Sequence, residues 1–395
     1  MTKLRTAVIG VGGRGSAVRL RHVLLMDDVF DLVAICDRDE EKARQFAAKH
    51  GVKAYGRVQD LVANESLDLA TVSTPGDSHH VICTYLAEHG VNIIVETPLA
   101  ITLPLCDLIV DAVERNGVKL EVAEQYPRDP WHLMKRKIID AGLIGDLLRI
   151  YSLFQTGGYH IMSSIRLLSG SDPVRATGIS MNRSVPRVNA STIRQYTAEN
   201  WSMGIIDFAN GATGVMAYSS LYHAHAIGRK QTTLFQMDGT TGTIVDNDVH
   251  LTTEEERLNG GRATVYPIKS VMKDVEDGQI LDYLEIETDP PFRWENPFPQ
   301  YKISVGGLAI IEEMDSIAQA VLNDQPTRYD AQTGRKDMEL QIAVEESGRL
   351  GRIPLDLPLT EITPHEAQIH EGFKAKHGVD VFDVEQLVDF FFPKV

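Results

Sequence analysis

The sequence predicts an α/β domain built on a doubly wound parallel sheet, followed by an α+β domain whose strands are mostly antiparallel. Short apolar runs alternate with helical patterns up to Ala123, which is the order of elements found around a parallel sheet. From residue 174 to residue 246 the polarity alternates, and Asn210-Gly211 and Asp238-Gly239 provide turn residues for hairpins. A length of 395 residues is consistent with two or three domains.

The first elements surround a glycine-rich turn. A short apolar run leads into Gly10, Gly12 and Gly15 in the spacing G-x-G-x-x-G, and a helical pattern and a second apolar run follow. If the ligand is a dinucleotide, Gly10 permits the tight turn, Gly12 lets the backbone approach the pyrophosphate, and Gly15 lets the helix pack against its strand. The N-terminus of that helix also offers N–H groups to the phosphates.

Asp37 ends the second apolar run, where a carboxylate takes the hydroxyls of the ribose. Because a carboxylate at this position repels a 2′-phosphate, the sequence favours NAD over NADP. Arg38 weakens this preference, since it could accept the extra phosphate or stack on adenine. Arg14 lies beside Gly13 in the glycine turn and could reach the pyrophosphate or point into solvent.

The rest of the first domain continues the alternation of strands and helices. Ligands of such sheets bind in the crevice beyond the carboxyl ends of the strands. We therefore expect the chemistry at the glycine turn, at Asp37 and at Thr74-Pro75, Glu96-Thr97-Pro98 and Glu124-Gln125-Tyr126. Helices are predicted at residues 40–50, 77–89 and 102–116, and strands at residues 67–73, 91–95 and 118–123.

The pattern changes after Gln125. Residues 254–300 are polar and are interpreted as an excursion from the antiparallel sheet. The segment from Glu361 onward ends in Phe390-Phe391-Phe392, which we expect to dock on the body of the protein or on a neighbouring subunit. Other elements are predicted as helices at residues 130–141, 308–322 and 330–350, a strand at residues 147–153, and a helix that starts after Gly157-Gly158 and ends near Gly170.

Composition argues against several classes of partner. The chain has 55 acidic and 39 basic residues and a net charge of −16, so neither nucleic acid nor an anionic membrane surface is expected as a partner. No segment has the pattern of a signal peptide or a membrane span. Three widely spaced cysteines indicate free thiols in a reducing cytoplasm. His223 and His225 alternate on a predicted strand, but without a clear third ligand they predict no metal.

Taken together, these motifs resemble the Gfo/Idh/MocA family, which includes glucose-fructose oxidoreductase and inositol dehydrogenase. The similarity runs from the opening glycines through Thr74-Pro75, His79, Glu96-Thr97-Pro98 and the His160 helix to a helical segment at residues 334–351. It implies a nicotinamide cofactor on the first domain and a large, open-faced, mostly antiparallel sheet in the second. The family commonly uses that sheet for homo-oligomer contacts, so a dimer or tetramer is expected. The implied substrates are sugars, cyclitols or their derivatives, oxidised or reduced at a secondary carbinol.

The resemblance also divides the chain. We predict an NAD(P)-binding Rossmann domain at residues 1–124, a substrate-binding and oligomerisation domain at residues 125–360, and a C-terminal extension at residues 361–395.

Two positions depart from the family pattern. The family has a Glu-Lys-Pro motif whose lysine polarises the substrate oxygen and relays its proton, and Thr97 replaces that lysine. Thr156 stands four residues before His160, where the family has aspartate. His160 is retained, and a neutral imidazole can take the proton of an alcohol near pH 7. Tyr159, Tyr126 and Thr156 are the candidates to hold its ring.

Several single residues can be interpreted from their positions. His79 is expected to face the cofactor and His80 to lie at the surface. Arg128 and Arg166 could contact an anionic substrate or form salt bridges, and Arg293-Trp294 could be a sugar platform or a loop anchor.

The predicted site residues fall into three groups. We assign cofactor binding to Gly10, Gly12, Gly13, Arg14, Gly15, Asp37, Arg38, Thr74, Pro75, His79, Glu96, Thr97 and Gln125, substrate binding to Thr97, Arg128, Thr156, Tyr159 and His160, and catalysis to His160, Tyr159 and Tyr126.

Three functions are compatible with these residues. The first is a cytoplasmic NAD-dependent oxidoreductase that acts on a secondary hydroxyl of a sugar, cyclitol or glycoside, with His160 as acid/base. The second is a redox-neutral, NAD-assisted glycoside hydrolase or lyase, because one hydrolase group of the family also lacks the lysine; Tyr126 or Tyr159 would then take a proton beside a transient ketone. The third is a non-catalytic cofactor-binding regulator, as the family's galactose-pathway repressor is.

Overall fold

The computed structural model describes residues 3–189, 195–223, 233–276 and 278–394. The chain forms two compact units. The first contains the residues up to Gln125, Ala309–Met338 and the segment from Ile362 onward, and the second contains Tyr126–Leu308 and Glu339–Glu361. Among the helices in the described ranges, none has the length and apolar character needed to cross a bilayer.

The first unit is built on a six-stranded sheet. Its strands are β1 (Leu4–Ile9), β2 (Phe30–Cys36), β3 (Lys53–Tyr55), β4 (Leu69–Val72), β5 (Asn92–Glu96) and β6 (Leu120–Ala123). Their order is β3-β2-β1-β4-β5-β6, and every neighbouring pair is parallel. Ala7, Val8 and Ile9 of the central strand are fully buried, as strands covered on both faces are. The predicted doubly wound parallel sheet is confirmed.

Helices connect these strands. A π-helical segment, Gly15–Leu20, continues into α1 (Arg21–Leu25), and α2 (Glu40–His50), α3 (Val58–Asn64), α4 (His79–Glu88) and α5 (Leu103–Asn116) follow. Helix α2 has the predicted bounds because the sequence has a capping residue at each end of it. The Asp39 side chain accepts a hydrogen bond from the backbone N–H of Lys42, and Gly51 ends the helix in the left-handed conformation.

The second unit contains a nine-stranded sheet and a three-stranded sheet. The strands are β7 (Leu147–Leu153), β8 (Pro173–Asn189), β9 (Gln195–Phe208), β10 (Thr213–Ser219), β11 (Leu234–Gly239), β12 (Gly242–Val245), β13 (Asp248–Leu251), β14 (Thr264–Pro267), β15 (Lys269–Val275), β16 (Gly278–Ile286), β17 (Phe292–Glu295) and β18 (Leu355–Asp356). The large sheet has the order β14-β13-β12-β11-β7-β10-β9-β8-β18 and is antiparallel except where β7 lies beside β10. The predicted, mostly antiparallel sheet is confirmed.

The polar stretch at residues 254–300 contributes to both sheets of this unit. The interpretation as an excursion is wrong for β14, which pairs with β13 and extends the large sheet. It holds for β15, β16 and β17, which form the small sheet. Most side chains of β14 and β15 are exposed, which explains why their sequence reads as polar and unstructured.

The helices of this unit are α6 (Pro130–Asp140), α7 (Gly158–Ser169), α8 (Ser220–His223) and α9 (Glu254–Asn259). Helix α7 begins after Gly157 and ends at Gly170, which has a φ of 61°, as predicted. The strand predicted around His223 is wrong, because this residue ends α8. His225 lies outside the described residues.

Four helices complete the chain: α10 (Val305–Asn323), α11 (Ala331–Arg349), α12 (Pro364–His377) and α13 (Val384–Phe391). Residues 309–338 group with the first unit, whereas the sequence-based boundaries place them in the second domain. Hydrogen bonds to β6 account for this grouping. The Ser316 hydroxyl donates to Glu121 at 2.6 Å, and the backbone N–H of Val122 donates to the carbonyl of Tyr329 at 2.8 Å.

The C-terminal tail, residues 362–394, also belongs to the first unit. Phe392 is 3% exposed, and its carbonyl accepts a hydrogen bond from Arg57 Nε at 3.0 Å. The expected docking on the body of the protein is therefore confirmed for Phe392, whereas Phe390 is 45% exposed. The surface position expected for His80 is wrong. The tail covers this residue, and its Nε2 lies 2.9 Å from the carbonyl oxygen of Val381.

Candidate functional site

The glycine turn after β1 has the close contacts that its motif predicts. Gly10 has a φ of 83°, and a Cβ atom there would lie 2.6 Å from the carbonyl oxygen of Ser73. A Cβ atom on Gly15 would lie 1.8 Å from the carbonyl oxygen of Gly10. A Cβ atom on Gly12 would meet only Lys42 Nζ, at the ordinary contact distance of 3.7 Å, and one on Gly13 would meet no atom within 4 Å. Two glycines therefore close the turn, and two leave its outer backbone accessible to a ligand.

Asp37 is held beside this turn by backbone groups. Its Oδ2 accepts a hydrogen bond from the N–H of Val11 at 2.9 Å, and its Oδ1 accepts one from the N–H of Asp39 at 3.0 Å. Lys42 Nζ lies 3.5 Å from Oδ2. The carboxylate thus has a fixed orientation at the end of β2, where a ribose hydroxyl can donate to it.

A cavity of about 420 Å³ opens next to the glycine turn, and we call it the cofactor cavity. Its volume lies within the usual range for small-molecule sites. The open backbone at Gly12 and the fixed carboxylate of Asp37 fit the phosphate and ribose groups of a dinucleotide. The cavity is lined by Gly10, Gly12, Asp37, Arg38, Lys42, Ser73, Thr74, Pro75, Asp77, Ser78, Ile82, Lys376, His377, Phe391 and Phe392.

Six of the predicted cofactor residues line this cavity, and seven lie outside its lining. Those that line it are Gly10, Gly12, Asp37, Arg38, Thr74 and Pro75, and those outside it are Gly13, Arg14, Gly15, His79, Glu96, Thr97 and Gln125.

Arg14 takes part in a network with two of the predicted residues. Its Nε donates to Glu96 Oε2 at 2.7 Å, and its Nη2 donates to Gln125 Oε1. Arg14 thus contacts residues at the ends of β5 and β6. The sequence analysis considered the pyrophosphate or solvent as its surroundings. Glu96 is buried, so this contact fixes the start of the Glu96-Thr97-Pro98 loop.

Sequence reasoning missed Arg19, the second partner of Glu96. Arg19 is 1% exposed, its Nε donates to Glu96 Oε1 at 2.6 Å, and its Nη2 lies 2.7 Å from Glu313 Oε2. Burial acts to lower the pKa of the Arg19 guanidinium, but the two carboxylates raise it above its usual value. Burial likewise acts to raise the pKa of Glu96, and the guanidinium groups of Arg19 and Arg14 hold it below its usual range. The signal in the sequence is a charged residue inside an apolar helical pattern, since a buried charge needs a partner.

His79 lies beneath the strand ends and is fully buried. Its Nδ1 is 2.8 Å from the carbonyl oxygen of Pro98, and its Nε2 is 2.9 Å from that of Thr74. Burial lowers the pKa of this imidazole, although both carbonyl contacts oppose the shift. His79 therefore joins the loops after β4 and β5 through contacts with Thr74 and Pro98.

The candidate catalytic residues come together in the second unit. His160 lies in the first turn of α7, and its ring centroid is 4.5 Å from that of Tyr126. The ring of Tyr159 meets it edge-on at 5.9 Å. His132, which sequence reasoning missed, has Nδ1 2.6 Å from the carbonyl oxygen of Tyr126 and so holds that residue. Thr156 is buried, and its Oγ1 has no hydrogen-bond partner among the described residues.

The arginines singled out in the sequence have different surroundings. Arg128 is buried in the 3₁₀ turn Tyr126–Arg128. Arg293 donates to Glu285 at 2.9 Å, and its guanidinium lies 4.2 Å from the ring centroid of Tyr283. These contacts correspond to the loop-anchor alternative for Arg293. Among the described residues, no three His, Cys, Asp or Glu side chains are grouped so that they could hold a metal ion.

Comparison with known proteins agrees with this geometry. Residues 4–124 match the Gfo/Idh/MocA family model, described as an oxidoreductase family with an NAD-binding Rossmann fold. By this match, residues 4–124 of the chain belong to that family. Its first unit is an NAD-binding domain, in agreement with the preference for NAD that Asp37 predicts.

The curated relatives that match this chain align with it over only part of their length. A glycosyl hydrolase family 109 protein of Shewanella pealeana is 33% identical over 163 residues, which are 38% of this chain and 34% of the relative. An inositol 2-dehydrogenase of Burkholderia vietnamiensis is 30% identical over 151 residues, which are 38% of this chain and 44% of the relative. The chain thus aligns with less than half of the length of these relatives.

Solved structures share the fold over most of the chain. A levoglucosan dehydrogenase in complex with NADH and levoglucosan has a TM-score of 0.66 at 20% identity, covering 91% of this chain and 100% of that one. An oxidoreductase from Agrobacterium radiobacter in complex with NAD⁺, L-tartaric acid and magnesium has a TM-score of 0.65 at 21% identity, covering 90% of this chain and 98% of that one. At these identities the similarity shows the fold.

Proposed function

We propose that this protein is an NAD-dependent oxidoreductase that acts on a secondary hydroxyl of a sugar, cyclitol or glycoside, with His160 as general acid/base. The observation that carries the proposal is the setting of His160, whose ring lies against Tyr126 and Tyr159 in a chain that also has an NAD-binding unit. The names of an inositol 2-dehydrogenase relative and a levoglucosan dehydrogenase neighbour support the substrate class.

The proposed chemistry divides the work between cofactor and protein. Nicotinamide, when bound, supplies the hydride exchange. His160 takes the proton of the substrate hydroxyl during oxidation and returns it during reduction. We infer that the contacts with Tyr126 and Tyr159 orient the imidazole, which favours proton transfer along a fixed direction. Thr97 and Thr156 provide neutral hydroxyls where the family has charged groups, and we propose that they hydrogen-bond to the substrate.

The test is a panel of sugars, cyclitols, sugar acids and aryl glycosides, incubated with purified protein and NAD while NADH absorbance is recorded. A substrate that produces NADH is then tested with His160→Ala. We expect kcat to fall at least about 100-fold, the usual size of a general acid/base contribution, while NAD binding is unchanged. His50→Ala, which changes an exposed histidine of the first unit, is the matched control. Turnover by His160→Ala at the rate of the control variant would show that another group moves the proton.

A second candidate function is redox-neutral cleavage of a glycoside. The family 109 glycosyl hydrolase relative and the replacement of the family's lysine by Thr97 favour it. Tyr126 or Tyr159 would take the proton next to the carbon that is transiently oxidised. In the same assay this function releases phenol from an aryl glycoside without net formation of NADH, whereas a simple dehydrogenase produces NADH.

We further propose a cytoplasmic homo-oligomer, a dimer or tetramer that associates through the large sheet of the second unit. Cys36, Cys83 and Cys106 are buried free thiols, which is consistent with a reducing compartment. Val174, Met181 and Ile205 on β8 and β9 are large apolar side chains that this unit leaves exposed. Such side chains favour a protein interface.

A further inference from the structure

The tail supplies part of the lining of the cofactor cavity. Lys376 and His377 at the end of α12, and Phe391 and Phe392 at the end of α13, line it together with the strand-end loops. A doubly wound sheet alone leaves the crevice beyond its strand ends open to solvent. Here residues far along the chain form one side of that crevice.

Several contacts fix the tail in this position. Asp389 accepts hydrogen bonds from Arg57 at 2.8 Å and from Gln59 at 2.9 Å. Arg57 also donates to the carbonyl of Phe392, and His80 contacts the carbonyl of Val381. Because the anchors lie on both sides of α13, its aromatic side chains have a defined place at the cavity.

The side chains that the tail presents suit an aromatic base. The His377 ring lies 4.5 Å from that of Phe373 and 5.9 Å from that of Phe391. The Phe390 ring lies 5.1 Å from that of His377, so His377 belongs to an aromatic cluster that reaches the cavity lining. Adenine has two flat faces that stack on aromatic rings. Asp37 marks the ribose position, so the attached adenine is the part of NAD that is closest to this lining.

We propose that the tail forms the adenine-binding side of the NAD site, with Phe391 and His377 packed against the base. The tail thereby sets cofactor affinity and the rate of cofactor release. This inference rests on the cofactor-binding part of the proposed function and is independent of the sugar chemistry.

The test measures binding by the full chain and uses no turnover assay. NAD and AMP are titrated calorimetrically into the wild type, Phe391→Ala, His377→Ala and Phe382→Ala. Phe382 belongs to the same tail but lies outside the cavity lining, so its variant is the matched control. We expect Phe391→Ala to weaken NAD and AMP by the same factor of about ten, because AMP carries only the adenosine end. We expect a smaller loss for His377→Ala and none for Phe382→Ala.

The rate of release provides a second readout. Asp389→Ala removes the anchor to Arg57 and Gln59 and changes no side chain of the cavity lining. We expect NAD to dissociate several-fold faster from this variant and from Phe391→Ala in a stopped-flow displacement experiment. If Phe391→Ala does not fold, Phe391→Leu keeps an apolar side chain and removes only the ring. Wild-type affinity in the ring variants, or a loss for NAD that AMP does not share, would overturn the proposal. If the wild type turns over no sugar but the variants show the expected changes in NAD and AMP binding, only the proposed reaction is contradicted.

Discussion

Asp37 is the single residue to which the sequence assigns the choice of NAD over NADP. Two backbone N–H groups orient its carboxylate at the end of β2. We predict that Asp37→Ser weakens NAD binding about 10-fold or more, because a hydrogen bond to a charged group contributes about 1.5–3 kcal/mol. The variant should also bind NADP better relative to NAD, since the repulsion of a 2′-phosphate is removed. Calorimetric titration with both cofactors measures this change.

The control for this prediction is Asp31→Ser, which removes an exposed carboxylate from the same strand. A wild-type ratio of NAD to NADP affinity in Asp37→Ser would show that Arg38 or Lys42 makes the choice instead.

Local residues of the site could be predicted from sequence, and residues with distant partners could not. The roles of Gly10 and Gly15 follow from spacing, because backbone contacts within one turn require them. Arg19 was missed because its partners, Glu96 and Glu313, are far along the chain and only the folded chain brings them together. Likewise, no sequence pattern distinguished the buried His80 from a surface histidine.

At the scale of elements, two helices start with the same capping box in different surroundings. Thr363 and Glu366 cap α12 and are buried, and Glu366 also accepts a hydrogen bond from the N–H of Leu103 at 2.7 Å. Thr253 and Glu256 cap the exposed helix α9. We predict that Glu366→Ala lowers the free energy of unfolding by about 2–3 kcal/mol, because it leaves buried N–H groups unpaired. Glu256→Ala should lower it by about 1 kcal/mol or less.

Urea unfolding of both variants beside the wild type checks this pair. Equal losses would mean that water replaces the hydrogen bonds of Glu366 as readily as those of Glu256.

Helix α6 carries a buried lysine that gives stability a pH dependence. Burial lowers the pKa of Lys135 from its ordinary value of 10.5 to about 8. Between pH 8 and pH 10.5 the unfolded chain binds more protons at Lys135 than the folded chain does. The loss of stability caused by burying this charge is therefore full below pH 8 and disappears as the pH rises to 10.5. We predict that Lys135→Met raises the free energy of unfolding by about 2 kcal/mol at pH 7. The gain should shrink toward pH 10, and unfolding curves at several pH values measure it.

Lys137→Met, an exposed change on the same helix, should show neither the gain nor its pH dependence. The hydrogen bond from Lys135 to Asn247 does not alter this expectation, because Asn247 is exposed and can bind water instead. A gain for Lys135→Met that stays constant up to pH 10 would assign the effect to packing.

Elements with clear end signals had the bounds that the sequence predicts. Helix α2 and strand β7 match residue for residue. The strands at residues 264–295 were harder to recognise because many of their side chains face solvent, so the apolar alternation that marks a strand is weak. Pairing partners, rather than local pattern, determine these strands.

At the scale of the whole molecule, self-association is the property to test. Ile205 is 51% exposed on β9 of the large sheet. If this sheet is the interface, we predict that Ile205→Asp shifts the oligomer to monomer, because a buried, unpaired charge opposes association. Sedimentation velocity at micromolar concentration measures the change.

Leu258→Asp is the matched control, since Leu258 is 77% exposed and lies on helix α9 rather than on a strand of the sheet. An Ile205→Asp protein that sediments like the wild type would exclude this part of the sheet from the interface.

The two fold classes could be predicted from sequence, but the composition of the units could not. Element order and polarity identify a parallel sheet and an antiparallel one. The first unit, however, also takes in residues 309–338 and the tail. Their places depend on contacts such as Ser316 with Glu121 and Arg57 with Phe392, which join distant parts of the chain.

That composition has a consequence for biosynthesis. All residues of β1 to β6 have been translated once residue 123 is added. Phe391 and Phe392, by contrast, are translated after every other residue of the cofactor cavity lining. The strands of the parallel sheet are therefore available to pair long before the last side of the cofactor cavity has been made. Chains that stop before α13 would carry the glycine turn and Asp37 beside a cavity open on the side of the tail.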